Sequence, residues 1–133
     1  MTLSNELYWL VLTSLLTSLI WVPYILNRLV EDSPIPALWN PMPDTRPKAR
    51  WAERMMRAHE NAVENLVVFA PLVLCIEFIK INSETTAMAC LIFFWSRVAH
   101  LVVFSFGIPL LRPIIFVVGF AAQMTLAIQL LSA

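Results

Sequence analysis

The sequence predicts an all-α integral membrane protein whose protomer is one bundle of four transmembrane helices. Three observations predict it. Hydrophobic residues make up 59% of the 133, above the roughly 45–50% of a soluble domain, and mean hydropathy is +0.75. The apolar residues fall into four continuous runs, each able to supply the roughly 20 residues that cross about 30 Å of hydrocarbon as a helix. The runs show no strand-like alternation, and in lipid the alternative to helices is a closed barrel. Formal net charge is zero, so no nucleic-acid partner is expected.

The first run goes from about Leu7 to Leu29 and predicts a helix over about 5–30. It has no basic n-region, Glu6 precedes it and no small-x-small site follows, so a permanent helix is expected rather than a signal peptide. Pro23 is where a kink is expected. "EDSPIPALWNPMPDTRPKAR", residues 31–50, holds five of the nine prolines and predicts a surface loop of largely fixed shape. The second helix, about 51–80, begins with the charged "ERMMRAHENAVEN" and continues as an apolar run from about Leu66 to Ile79. Asn82 and Ser83 end it. The third helix, about 85–106, and the fourth, about 109–131, flank Gly107-Ile108-Pro109 and predict a tight hairpin. No internal repeat appears, so residues 1–133 read as one domain. Cys75 and Cys90 lie in apolar runs and are expected to be small buried hydrophobes, without a disulfide framework.

Basic residues orient the bundle. Arg28, Arg46, Lys48, Arg50, Arg54 and Arg57 flank the first loop and Arg112 the third, whereas the other side has only Lys80. The positive-inside rule then puts these loops in the cytoplasm and both termini outside it. The expected setting is a bacterial inner membrane.

The charged half of the second helix carries the first chemical signal. Arg54, Arg57, Asn61 and Glu64 are spaced 3, 4 and 3 apart. At 100° per residue they occupy a sector of about 80°. Such a stripe suits a small zwitterionic ligand with several carboxylates, because arginine forks match carboxylates bidentately. A solvated helix entrance with internal ion pairs, involving Arg54, is the plainer alternative. "FWSRVAH" in the third helix places Arg97 at bilayer depth, where a lone arginine costs about 2.5–3.5 kcal/mol. It is therefore expected in a structural pair, with Glu64 or Glu77 as the carboxylate. His100, one turn later on the same face, is either a ligand contact or a satisfied core histidine. Arg112 opens the fourth helix. It either anchors to lipid phosphate or lowers the pKa of a nearby thiol by favouring the thiolate. No Cys/His cluster has metal-ligand spacing, and no phosphate loop, GxSxG or HExxH occurs. A transport path is disfavoured without an inverted repeat.

The pattern E-R-x-x-R-A-x-x-N-x-x-E at Glu53, Arg54, Arg57, Ala58, Asn61 and Glu64 resembles the MAPEG family, membrane-associated proteins in eicosanoid and glutathione metabolism. "SRVAH" at 96–100, the short turn after it and Arg112 resemble the same family, as does His59. The resemblance implies four-helix protomers assembled as a homotrimer, with glutathione bound between subunits near the cytoplasmic side. Arg57, Asn61 and Glu64 would hold the glutathione backbone, Arg28 a terminal carboxylate, and His100 would line the site. Arg112 would stabilise the thiolate. Three residues depart from the pattern: Phe104 and Phe116 stand where the family's enzymes have tyrosines, and Pro113 replaces a serine. The interval from His100 to Arg112 is also one residue short. The implied function is a glutathione-dependent transferase or peroxidase acting on lipophilic electrophiles that partition from membrane lipid. The alternative is a non-catalytic lipid-binding or scaffold protein of the same fold, which Phe104 and Phe116 favour.

Overall fold

The computed structural model describes residues 1–31 and 47–133. The proline-rich segment at 32–46, including Arg46, lies outside them. Helices α1 (Asn5–Leu19) and α2 (Trp21–Glu31) form the first span. Helices α3 (Arg50–Ile79), α4 (Glu84–Ser105) and α5 (Leu111–Leu131) form the other three. All four spans are long and apolar enough to cross a membrane, and the described residues contain no strand. The protein is an all-α, four-span bundle.

The first span breaks at Ile20 rather than at Pro23. Proline lacks an N–H for the carbonyl four residues back, and its ring crowds that carbonyl. The carbonyl is that of Leu19, so the interruption falls one turn before the proline. Pro71 sits inside α3, on its exposed side, without breaking it.

Polar side chains tie the bundle at both ends. Ser4 caps α1 through the Leu7 N–H, and Ser83 and Thr86 form a reciprocal capping box on α4. The Ser4 hydroxyl also donates to Glu77, which accepts from Asn82 as well. Buried Glu6 accepts from the Thr86 hydroxyl. At the first-loop end, Glu31 accepts from Asn27 Nδ2 and from the backbone N–H groups of Lys48 and Ala49, at 2.8–2.9 Å. It thereby ties the end of α2 to the two residues that lead into α3, whose N-cap Ala49 makes no side-chain cap bond.

Helix α4 is the most enclosed span. Its buried residues Thr86, Ala89, Cys90, Phe93, Ser96, Arg97, His100 and Val103 recur at three- and four-residue intervals, the spacing of one helical face. Phe93 stacks on Phe69 of α3 with centroids 3.9 Å apart. Around them pack Leu10, Val73, Ile76, Cys90, Ala122 and Leu126. A smaller cluster of Ile20, Tyr24 and Ala52 joins α2 to the start of α3. Cys90 is buried as expected, but Cys75 is exposed. On α3 the inward positions are Phe69, Val73 and Ile76, and Cys75 points well away from that line.

Candidate functional site

The charged half of α3, the end of α4 and the start of α5 meet at the first-loop end of the bundle. Arg50, Glu53, Arg54, Arg57, Phe104 and Arg112 enclose a cavity of about 350 Å³. Beside it, Arg57, Glu60, Asn61, Glu64 and Phe104 line a second opening of about 450 Å³. Arg57 and Phe104 border both, so the two form one bipolar trough. One end has four guanidinium groups against one carboxylate, and the other has two carboxylates and an amide. The expected stripe of α3 is thus the wall of a real concavity, and the tight turn after α4 brings Arg112 to it.

Each cation is held differently. Arg57 pairs with Glu53 at 3.1 Å, in an exposed contact of neighbours four apart. Such pairs are worth roughly 0.3–0.5 kcal/mol. The Arg112 guanidinium carbon lies 4.9 Å from the centre of the Phe104 ring. This geometry suits a cation–π contact. Arg54 packs on Gly107, whose φ is +68°. A Cβ there would collide with the Arg54 guanidinium. Gly107 therefore meets two demands at once, a left-handed turn and room for an arginine.

Arg97 corrects an expectation. It is 4% exposed, and its Nη1 donates to Asn61 Oδ1 at 3.0 Å. Neither Glu64 nor Glu77 is its partner. Glu77 lies sixteen positions beyond Asn61 on α3, about 24 Å along the axis, and accepts from Ser4 and Asn82. Glu64 turns outward into the trough. The guanidinium rests 5.6 Å from the Phe93 ring centre and fills a notch left by Gly119 of α5. Arg54, also expected in an ion pair, has no carboxylate partner among the described residues.

His100 is buried behind the trough, its ring 5.5 Å from that of Phe104. Arg28 borders neither opening, but its Nε and Nη2 are buried without a hydrogen-bond partner among the described residues. His59 Nδ1 lies 2.8 Å from the Tyr24 hydroxyl, joining α2 to α3. Sequence reasoning missed Arg50 and Glu60 as trough residues, although their place at the mouth of α3 was visible. It also missed Tyr24, for which no sequence signal exists. A wider opening of about 760 Å³ lies at the opposite end of the bundle, bordered by Glu6, Trp9, Asn82 and Glu84. Glu6 and Asn82 there are already engaged with Thr86 and Glu77, which argues against a ligand site.

A family model described as the MAPEG family matches residues 7–132. The chain belongs to the MAPEG family. Membership of MAPEG places it in a family of membrane proteins of glutathione and eicosanoid metabolism, and MAPEG proteins use glutathione. The match takes in all four spans, so the motif on α3 and the bundle around it belong to the same MAPEG domain. No curated protein matches the chain. Like other MAPEG chains it is an integral membrane protein, with lipid against the outer faces of its spans.

Proposed function

We propose that the protein is a glutathione-dependent transferase or peroxidase acting on lipophilic electrophiles. The observation that carries this reading is the bipolar trough. Glutathione has two carboxylates and one ammonium, and the trough has arginines at one end and Glu60 and Glu64 at the other. Arg57 and Asn61 suit its carboxylate and amide groups, Glu64 its ammonium, and Arg112 the sulfur. Arg28 suits a carboxylate held across a subunit boundary, because its buried Nε and Nη2 lack partners among the described residues. His100 supports the wall through Phe104. When bound, glutathione supplies the thiol that attacks the electrophile. Arg112 favours the thiolate by placing a fixed positive charge beside it. The trough holds the peptide while the adjoining lipid concentrates the apolar partner, a proximity effect. In this reading the protein is a homotrimer with the trough at the subunit boundary, and the first loop is cytoplasmic.

Titration of detergent-purified protein with glutathione tests the proposal. Wild type binds at millimolar concentrations or tighter, and Arg57→Ala weakens binding by about 1.5–3 kcal/mol, the range for a charge-assisted contact. Absence of binding by wild type at those concentrations overturns it. One observation favours the non-catalytic lipid-binding reading: Phe104 offers Arg112 a ring face but no hydroxyl donor. Glutathione binding without any thiolate favours that second reading.

A further inference from the structure

Asn61 stands between the open trough and a buried polar layer. Its Oδ1 accepts from Arg97 Nη1 at 3.0 Å and from Asn65 Nδ2 at 3.2 Å. Asn65 Nδ2 also donates to the Asn61 backbone carbonyl at 2.8 Å, and Gln123 Nε2 of α5 donates to the Asn65 carbonyl at 3.2 Å. A guanidinium can only donate. The Asn61 atom that faces Arg97 is therefore the oxygen, whichever way the amide is viewed. With both of that oxygen's acceptor positions used, the carboxamide is locked. Its two N–H protons are left for the trough that Asn61 borders, and among the described residues no protein group accepts them.

The choice of an amide here runs against stability. Arg97 is 4% exposed within a membrane-capable span, and its Nε and Nη2 have no partner among the described residues. A carboxylate at position 61 would meet the same Nη1 and neutralise a charge that is costly to leave unpaired. What a carboxylate lacks is a donor on its other side. A local rule broken in a buried layer, next to an open site, points to function.

We propose that Arg97 and Asn65 are positioning residues that lock the Asn61 carboxamide with its oxygen inward. The trough then presents the Asn61 N–H groups to a carboxylate or carbonyl oxygen of the bound peptide thiol. The ligand half of this statement rests on the glutathione reading above; the lock itself does not.

The test compares Asn61→Asp, Arg97→Met, the two combined, Arg97→Lys and Asn65→Ala in one detergent, by unfolding midpoint and by glutathione dissociation constant. Asn61→Asp raises the midpoint yet weakens glutathione binding at least about tenfold. The rise in midpoint disappears in the Arg97→Met background, as a double-mutant cycle reads directly. Arg97→Met weakens binding by a smaller factor, and Arg97→Lys, still a pure donor, recovers most of it. Equal glutathione affinity in wild type and Asn61→Asp overturns the proposal. So does a midpoint change for Asn61→Asp that is the same with and without Arg97. If wild type binds no glutathione, the glutathione reading fails alone, and the coupling between positions 61 and 97 still decides the lock. Should Asn61→Asp not assemble, Asn65→Ala carries the test: lost affinity at a nearly unchanged midpoint supports the lock, and unchanged affinity overturns it.

Discussion

In the proposed mechanism the chemistry turns on one contact, Arg112 over the face of Phe104. A ring face holds the guanidinium by about 0.5–1 kcal/mol at an exposed site, and in this proposal its N–H donors are offered to the thiolate. A free thiol near pKa 8.5 is only a few per cent ionised at pH 7. One cation beside it raises that fraction, and each pKa unit is tenfold. We predict a weak ultraviolet thiolate signal when glutathione is added to wild type at pH 7. The signal disappears in Arg112→Ala and grows in Phe104→Tyr, where a hydroxyl adds a hydrogen bond to the anion. An undiminished signal in Arg112→Ala identifies Arg112 as a lipid anchor and removes it from the mechanism.

Helix α4 owes its close approach to α5 to a single missing side chain. A Cβ at Gly119 would lie 2.9 Å from Ser96 Oγ and 3.0 Å from Arg97 Nη2. In an ordinary helix interior, replacing glycine by alanine stabilises by roughly 0.5–1 kcal/mol. Here overpacking of about 1–3 kcal/mol outweighs that gain, so Gly119→Ala lowers the unfolding midpoint and pushes Arg97 off Asn61. At the turn between α4 and α5, Gly107→Ala adds the left-handed penalty of about 1–2 kcal/mol to a collision with Arg54. Differential scanning of the two variants in detergent checks both signs. A stabilised Gly119→Ala would show that the notch has room to spare.

The whole molecule has a length problem. Helix α3 has 30 residues, about 45 Å at 1.5 Å each, against about 30 Å of hydrocarbon. Its first ten residues or so are therefore expected at headgroup level, with Glu60, Asn61 and Glu64 at or inside the hydrocarbon boundary. Glu60 and Glu64 are exposed in the protomer, and carboxylates at that depth do not face lipid. We therefore expect a second subunit to cover them. We expect native mass spectrometry in mild detergent to show a trimer, with monomers and dimers as minor species. Only monomers or dimers would exclude a trough closed by a neighbour. The basic residues around the first loop also predict a reporter fused after Ala133 to be active outside the cytoplasm; cytoplasmic activity reverses the orientation.

What the sequence by itself determined is what one helix carries alone. The four spans, the hairpin at Gly107 and the single polar face of α3 follow from hydropathy and a 100° period, both local properties. Tertiary structure decided which groups meet across helices. A residue's angle around its own axis is set by sequence number, but the rotation and register of one helix against the next are set by packing the whole bundle. Asn61 therefore faces Arg97, 36 residues away, where a glutamate was expected. Tyr24 reaches His59, 35 residues away, and Arg54 finds Gly107 rather than a carboxylate. The outward face of Cys75 belongs with these, since it depends on which side of the helix the bundle encloses, whereas the break at Ile20 is a local effect of Pro23. The trough is intermediate: one wall was written along α3, but Phe104 and Arg112 became its other wall only when α4 and α5 closed against it.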